Sequence, residues 1–119
     1  MGEDYPTPHD TAVRDYIYVA DLASAHVLAL RKLLAGQPGQ ALNLGVGRGF
    51  SVAEIVNAVE RVSGQKARRV SAPRRAGDPP ILIANPEAAV AALGWNPVRT
   101  AVDDNIADAL KWDQSLVPA

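Results

Sequence analysis

An α/β domain, α+β when taken alone, is the fold class this sequence predicts: a small mixed sheet with about four helices. Three observations point there. The chain has 119 residues, the size of one domain, and a hydrophobic content of 48% is enough for a core. Short runs of Val, Ile, Leu and Tyr alternate with longer segments whose apolar residues recur at helical spacing. Glycine and proline, nine of each, stand between those runs as punctuation.

Residues 2–12 carry Pro6, Pro8, His9 and Asp10 with no apolar period, which predicts an irregular approach segment. Residues 13–19 then alternate as a strand, with Arg14, Tyr16 and Tyr18 on one face and Val13, Asp15, Ile17 and Val19 on the other. Over residues 21–34 the positions Leu22, Ala25, Ala29, Leu30 and Leu33 predict an amphipathic helix, capped by Asp21 and stopped before Gly36. A short strand is expected at residues 41–44, followed by a turn holding Gly45, Gly47 and Gly49.

Ser51 and Glu54 have capping-box spacing, so a second helix starts at Ser51. Its buried stripe is Val52, Ile55, Val56, Val59 and Val62, and it ends before Gly64. Residues 67–72 read as a strand, residues 73–80 as a loop and Ile81-Leu82-Ile83 as a further extended run. Asn85 before Pro86 starts a helix that stops at Gly94, because proline's missing amide costs nothing at a first turn. After a turn at Trp95-Asn96-Pro97, Thr100 and Asp103 are expected to cap a last helix with Val102, Ile106, Ala109 and Leu110 on its apolar face. Trp95 and Trp112 both read as core residues.

The net charge of -1 argues against a generally basic nucleic-acid binder and gives no pull toward anionic membranes. There is no cysteine, which excludes disulfides, zinc thiolates and cysteine nucleophiles and makes a reducing cytoplasm the expected location. The opening Met1-Gly2-Glu3-Asp4-Tyr5-Pro6 is acidic, unlike a signal peptide, and no run approaches the roughly 20 apolar residues of a membrane span.

The turn Gly45-Val46-Gly47-Arg48-Gly49-Phe50 invites a dinucleotide-loop reading, but Phe50 stands where the third glycine belongs, and Ser71-Ala72-Pro73 supplies no acid for a ribose. A Tyr-x-x-x-Lys pair is also missing from the sequence. His9 and His26 have no partners at triad or metal spacing and receive no role. Lys66, Arg68, Arg69, Arg74 and Arg75 form a basic run that a nucleic acid would fit, yet no aromatic lies within it, and Asp78 follows closely.

More informative is a split set: Arg14 and Tyr16 from the expected strand, with Arg75 and Asp78 from the loop. Guanidinium groups fork onto phosphate oxygens, while carboxylate and phenol groups take up hydroxyls, so this set suits a sugar-bearing diphosphate. Each residue alone would read as an ion pair or as strand packing; their combination with a Gly- and Pro-rich loop favours binding.

The same residues carry a resemblance. Asp4-Tyr5-Pro6-Thr7-Pro8, Val13-Arg14-Asp15-Tyr16-Ile17, Asp21-Leu22-Ala23, Asn43-Leu44-Gly45, Ser51-Val52, Pro73-Arg74-Arg75 with Gly77-Asp78, and Leu93-Gly94-Trp95 resemble, in order and spacing, the carboxyl-terminal part of the UDP-glucose 4-epimerases. These are extended short-chain dehydrogenases/reductases. The likeness runs from about Glu3 to Trp112. It implies one substrate-binding domain over residues 1–119, the carboxyl-terminal lobe of a Rossmann-type epimerase whose amino-terminal NAD-binding domain is absent.

It further implies that Arg14 and Tyr16 meet the UDP moiety of UDP-glucose or UDP-galactose, that Arg75 grips the diphosphate and that Asp78 accepts from ribose hydroxyls. NAD is then the cofactor of the full-length enzyme, with none held by this chain, which is expected to be inactive alone. Partners would be the missing domain and, through uncovered apolar surface, further copies of the chain; nucleic acid and membrane are not expected. A free-standing binding or interaction module is the alternative. Two departures are visible: Tyr18 replaces a usual histidine, and His9-Asp10 replaces a usual Asp-Gly, at a turn that glycine enters more easily than aspartate.

Overall fold

The computed structural model describes residues 1–116, so the last three residues of the expected 1–119 domain lie outside the described residues. At its centre β1 (Val13–Arg14) lies between β2 (Phe50–Ser51) and β3 (Ile81–Leu82). Val13 pairs with Ser51 and Arg14 with Phe50 antiparallel, while Val13 pairs with Ile81 and Arg14 with Leu82 in parallel. Four helices complete the fold, namely α1 (Val19–Leu34), α2 (Val52–Ser63), α3 (Glu87–Leu93) and α4 (Val102–Ser115). Helix α1 packs on α3 and α2 on α4. A small mixed sheet with four helices is therefore the fold class, as expected.

The best-founded core is small. Trp95, Ala25 and Ala89 are buried together, with Ile17, Leu28, Leu42, Leu44 and Leu93 packed around them. The indole N–H of Trp95 donates to the Asp21 carbonyl at 2.8 Å, which lets so large a ring be buried without an unpaired donor. Ser51 caps α2 by accepting from the Glu54 amide at 3.0 Å, and α2 and α3 end on left-handed glycines, Gly64 and Gly94.

Several local expectations are corrected. The strand over residues 13–19 shrinks to two residues, since β2 and β3 offer only two residues of ladder each and Val19 already opens α1. Asp21 is not the cap of α1, whose N-cap is Tyr18; the buried Asp21 carboxylate instead accepts from the amides of Val98 at 3.1 Å and Arg99 at 3.0 Å. Residues 41–44 join no ladder, and the strand expected at residues 67–72 is reduced to one bridge between Gly2 and Ala72.

Neither Thr100 nor Asp103 caps α4, because Ala101 holds the N-cap position and Asp103 is drawn to Arg61 of α2. Leu30 and Leu33 of α1 and Trp112 of α4 are exposed, so the sequence pattern places them in a core that the described residues do not close over them. No helix among the described residues is long and apolar enough to cross a membrane.

Candidate functional site

Arg14 ends the middle strand, where backbone pairing on both sides fixes its direction. Its Nη1 donates to the Val13 carbonyl at 2.8 Å and its Nη2 to Asp78 Oδ1 at 2.8 Å. Asp78 sits in the loop before β3, where its own amide donates to the Arg75 carbonyl at 3.3 Å and folds Arg75 back toward it. Arg75 Nη2 consequently stands 3.7 Å from Asp78 Oδ2, with its side chain 89% exposed. Three of the four expected residues, Arg14, Arg75 and Asp78, are thus brought to one point from distant parts of the chain.

A residue not singled out as a contact completes this point. Tyr5 is buried, and its hydroxyl donates to Asp78 Oδ2 at 2.7 Å. The only signal for it in the sequence is its place in the Asp4-Tyr5-Pro6 run. The approach segment that carries it is not loose: the amide of Glu3 donates to the Ala72 carbonyl, that of Ala72 to the Met1 carbonyl and that of Arg74 to Asp4 Oδ1. Farther on, Asp10 adopts a left-handed φ of 59°, an angle that glycine would take without strain. The hydrogen bond from Tyr5 holds the Asp78 carboxyl below its ordinary range, helped by the charges of Arg14 and Arg75 and opposed by desolvation. The same bond raises the Tyr5 phenol.

Tyr5, Arg75 and Asp78, though not Arg14, line a cleft of about 510 Å³ together with Val52 and Val56 of α2 and with Val70 and Arg68. Apolar walls with a few convergent polar groups are the usual composition of a small-molecule site. The basic run is shared between structure and cleft. Arg69, Arg74 and Arg75 all line the opening, and Arg69 is in addition tied to Glu60 and Asn57.

Tyr16 does not join this cluster. Beyond the end of β1 it faces a second hollow of about 600 Å³, with Ile55, Ile106 and Trp112. Burial raises its phenol while the charge of Arg14 works the other way, so Arg14 is still felt there. At the edge of that hollow Tyr18 donates to Asp108, and Arg99 donates to both at 3.0 and 2.7 Å while lying 4.5 Å over the Tyr18 ring.

The glycine turn does not fit a dinucleotide. The amides of Val46 and Gly47, which would have to face a pyrophosphate, donate to the Asp15 carboxylate at 3.0 and 2.9 Å. A Cβ at Gly45 would stand 2.6 Å from both Ala84 Cβ and Asp15 Oδ2, so this glycine serves close packing of the chain's own parts. His9 Nδ1 lies 3.2 Å from Ser51 Oγ and 3.1 Å from Glu54 Oε1, with one ring nitrogen facing both partners, which is not the relay of a hydrolase. Among the described residues no group of three or more His, Asp or Glu gathers as a metal site would require.

The chain is similar to known proteins in both sequence and backbone. Residues 5–45 match the NAD dependent epimerase/dehydratase family. Over 114 residues the chain is 48% identical to the UDP-glucose 4-epimerase of Lacticaseibacillus casei, covering 96% of this chain and 34% of that protein. Its backbone follows the UDP-glucose 4-epimerase of Stenotrophomonas maltophila, solved with NAD and formylated UDP-arabinopyranose, with a TM-score of 0.89 and 42% identity over 98% of this chain and 34% of the other. The enzyme from Bifidobacterium longum, solved with NAD+ and UDP, gives a TM-score of 0.85 and 36% identity over 97% of this chain and 34% of the other. The chain spans about a third of the length of the relatives it matches.

Proposed function

From this kinship with the UDP-glucose 4-epimerases over about a third of their length, we propose that the chain is the UDP-gripping, carboxyl-terminal part of a UDP-sugar 4-epimerase. One observation carries the reading: Arg14 and Arg75 converge on Asp78 beside an apolar-walled cleft. In it, both guanidinium groups take the diphosphate, Asp78 accepts from the ribose and Tyr16 meets the UDP moiety from the neighbouring hollow. A concave opening lined by Arg75 and Asp78, with Arg14 reaching the same carboxylate, suits a small diphosphate better than a nucleic-acid backbone, which asks for an extended basic face.

Such a site supports epimerisation by what it leaves free. Charge-assisted contacts to the nucleotide retain the substrate, UDP-glucose or UDP-galactose, while the sugar is left able to turn between its two faces. The NAD-dependent step at C4 is assigned to polypeptide that carries a dinucleotide loop and a Tyr-x-x-x-Lys pair, which also covers the open apolar faces of this chain. Alone, the chain is expected to convert no UDP-galactose to UDP-glucose in the presence of NAD, and turnover would refute that part.

Recording amide shifts while adding UDP tests the binding part. Changes clustered at Arg14, Tyr16, Arg75 and Asp78 support it. Shifts confined elsewhere would favour a free-standing interaction module.

A further inference from the structure

The cleft beside Asp78 is positive in a chain that is not. Over the whole sequence 12 basic residues stand against 13 acidic ones, for a net charge of -1. Yet four arginines line the cleft, Arg68, Arg69, Arg74 and Arg75, and Asp78 is the one acid among the described residues that do so. Two of these charges are met inside the molecule, since Arg69 pairs with Glu60 and Arg75 stands 3.7 Å from Asp78. Arg68 and Arg74 are exposed, and neither side chain has an ion pair or hydrogen bond among the described residues; the bond from Arg74 to Asp4 is made by its backbone amide. Val52, Val56 and Val70 line the same opening. A cleft of one sign with such low-dielectric walls focuses its field toward the mouth.

We propose that Arg68 and Arg74 are capture residues: they draw an anionic nucleotide into the cleft and set its rate of entry, while Arg14 and Arg75 hold the diphosphate once it has arrived. The inference rests on the UDP-binding reading above and divides the work of that site between two pairs of arginines. An exposed arginine with no partner to orient it gains little from a close ion pair in water, because ordering the long side chain offsets the attraction. Its field acts farther, over a Debye length of roughly 20 Å at about 20 mM salt and roughly 4 Å at about 0.5 M. Charges of this kind at the rim of a site act on association and on its salt dependence, whereas paired contacts within the site act on dissociation.

The test is amide-shift titration of the full chain with UDP at both salt concentrations, with association and dissociation rates taken from the line shapes. Wild type is compared with Arg75→Ala and with a double variant, Arg68→Gln with Arg74→Gln, which removes charge and keeps a polar side chain. At about 20 mM salt the double variant is expected to bind UDP about five-fold more weakly, all of it in the association rate. At about 0.5 M salt the difference is expected to fall below about 1.5-fold. Arg75→Ala, which removes a contact, is expected to lose affinity at both concentrations and through dissociation. A double variant equal to wild type at low salt, or weakened alike at both salts, overturns the inference and leaves the UDP reading standing. If wild type shows no UDP shifts even at low salt, the reading and the inference fall together.

Discussion

Asp78 joins the tyrosine of the approach segment to an arginine of the sheet, so its ionisation is linked to folding. Its folded carboxyl lies below the ordinary range, first through the Tyr5 hydrogen bond and then through Arg14 and Arg75. A depressed carboxyl contributes stability that is present above its unfolded pKa, about 3.9, and is lost as pH falls through the folded value. Glu60, Asp103 and Asp108 are depressed too, so Asp78→Asn should make the acid limb shallower without removing it. Urea unfolding of both chains between about pH 2 and pH 6 checks this, and identical slopes would show that Asp78 is not linked. The two tryptophans separate cleanly at this scale. Trp95, 1% exposed, should cost about 3–5 kcal/mol when changed to Ala, whereas Trp112, 68% exposed, should cost little on change to Ser.

At the scale of elements, what was legible in the sequence was whatever local chemistry decides alone. The α2 cap at Ser51, the stop at Gly94 and the start near Asn85-Pro86 depend on groups a few residues apart, and all three appear. Where a distant partner decides, the pattern misled. Asp21 has the right chemistry to cap α1, but the Val98 and Arg99 amides claim its carboxylate. Residues 13–19 alternate as a strand would, yet Asp15 turns in to the glycine turn instead of continuing a ladder. That junction can be tested. Gly45→Ala sets a methyl against Ala84 and the Asp15 carboxylate, an overpacking that should cost about 1–3 kcal/mol in a denaturant titration; full stability would mean that the turn adapts freely. Arg14 and Arg75 both approach Asp78, whereas Tyr5 was not legible in the sequence, because nothing in an Asp-Tyr-Pro run tells which carboxylate a buried phenol will meet.

Taken whole, the molecule is a slab of 50 × 42 × 21 Å with a radius of gyration of 17.1 Å, against roughly 13.5 Å for a close-packed domain of this length. Its accessible surface is 8112 Å², where a folded monomer of this mass would expose about 6,200 Å². The surplus, about 1,900 Å² on one chain, is more than twice the about 800 Å² that each partner of a standard interface buries, and Val19, Leu30, Leu34 and Trp112 are among the exposed apolar residues. Leu30 and Trp112 are the two of these that the sequence pattern assigns to a core, and spacing reports which face is apolar without saying what covers it. Sedimentation over a range of concentrations should therefore find self-association, reduced by Leu34→Lys; a monomer at all concentrations would count against apolar coverage as the cause.

In the proposed reading, two arginines from distant parts of the chain hold one diphosphate. Calorimetric titration of UDP into wild type, Arg14→Ala and Arg75→Ala measures it most directly. The expected result is measurable binding that each single substitution weakens by about ten-fold. Wild-type affinity retained in both variants would contradict it.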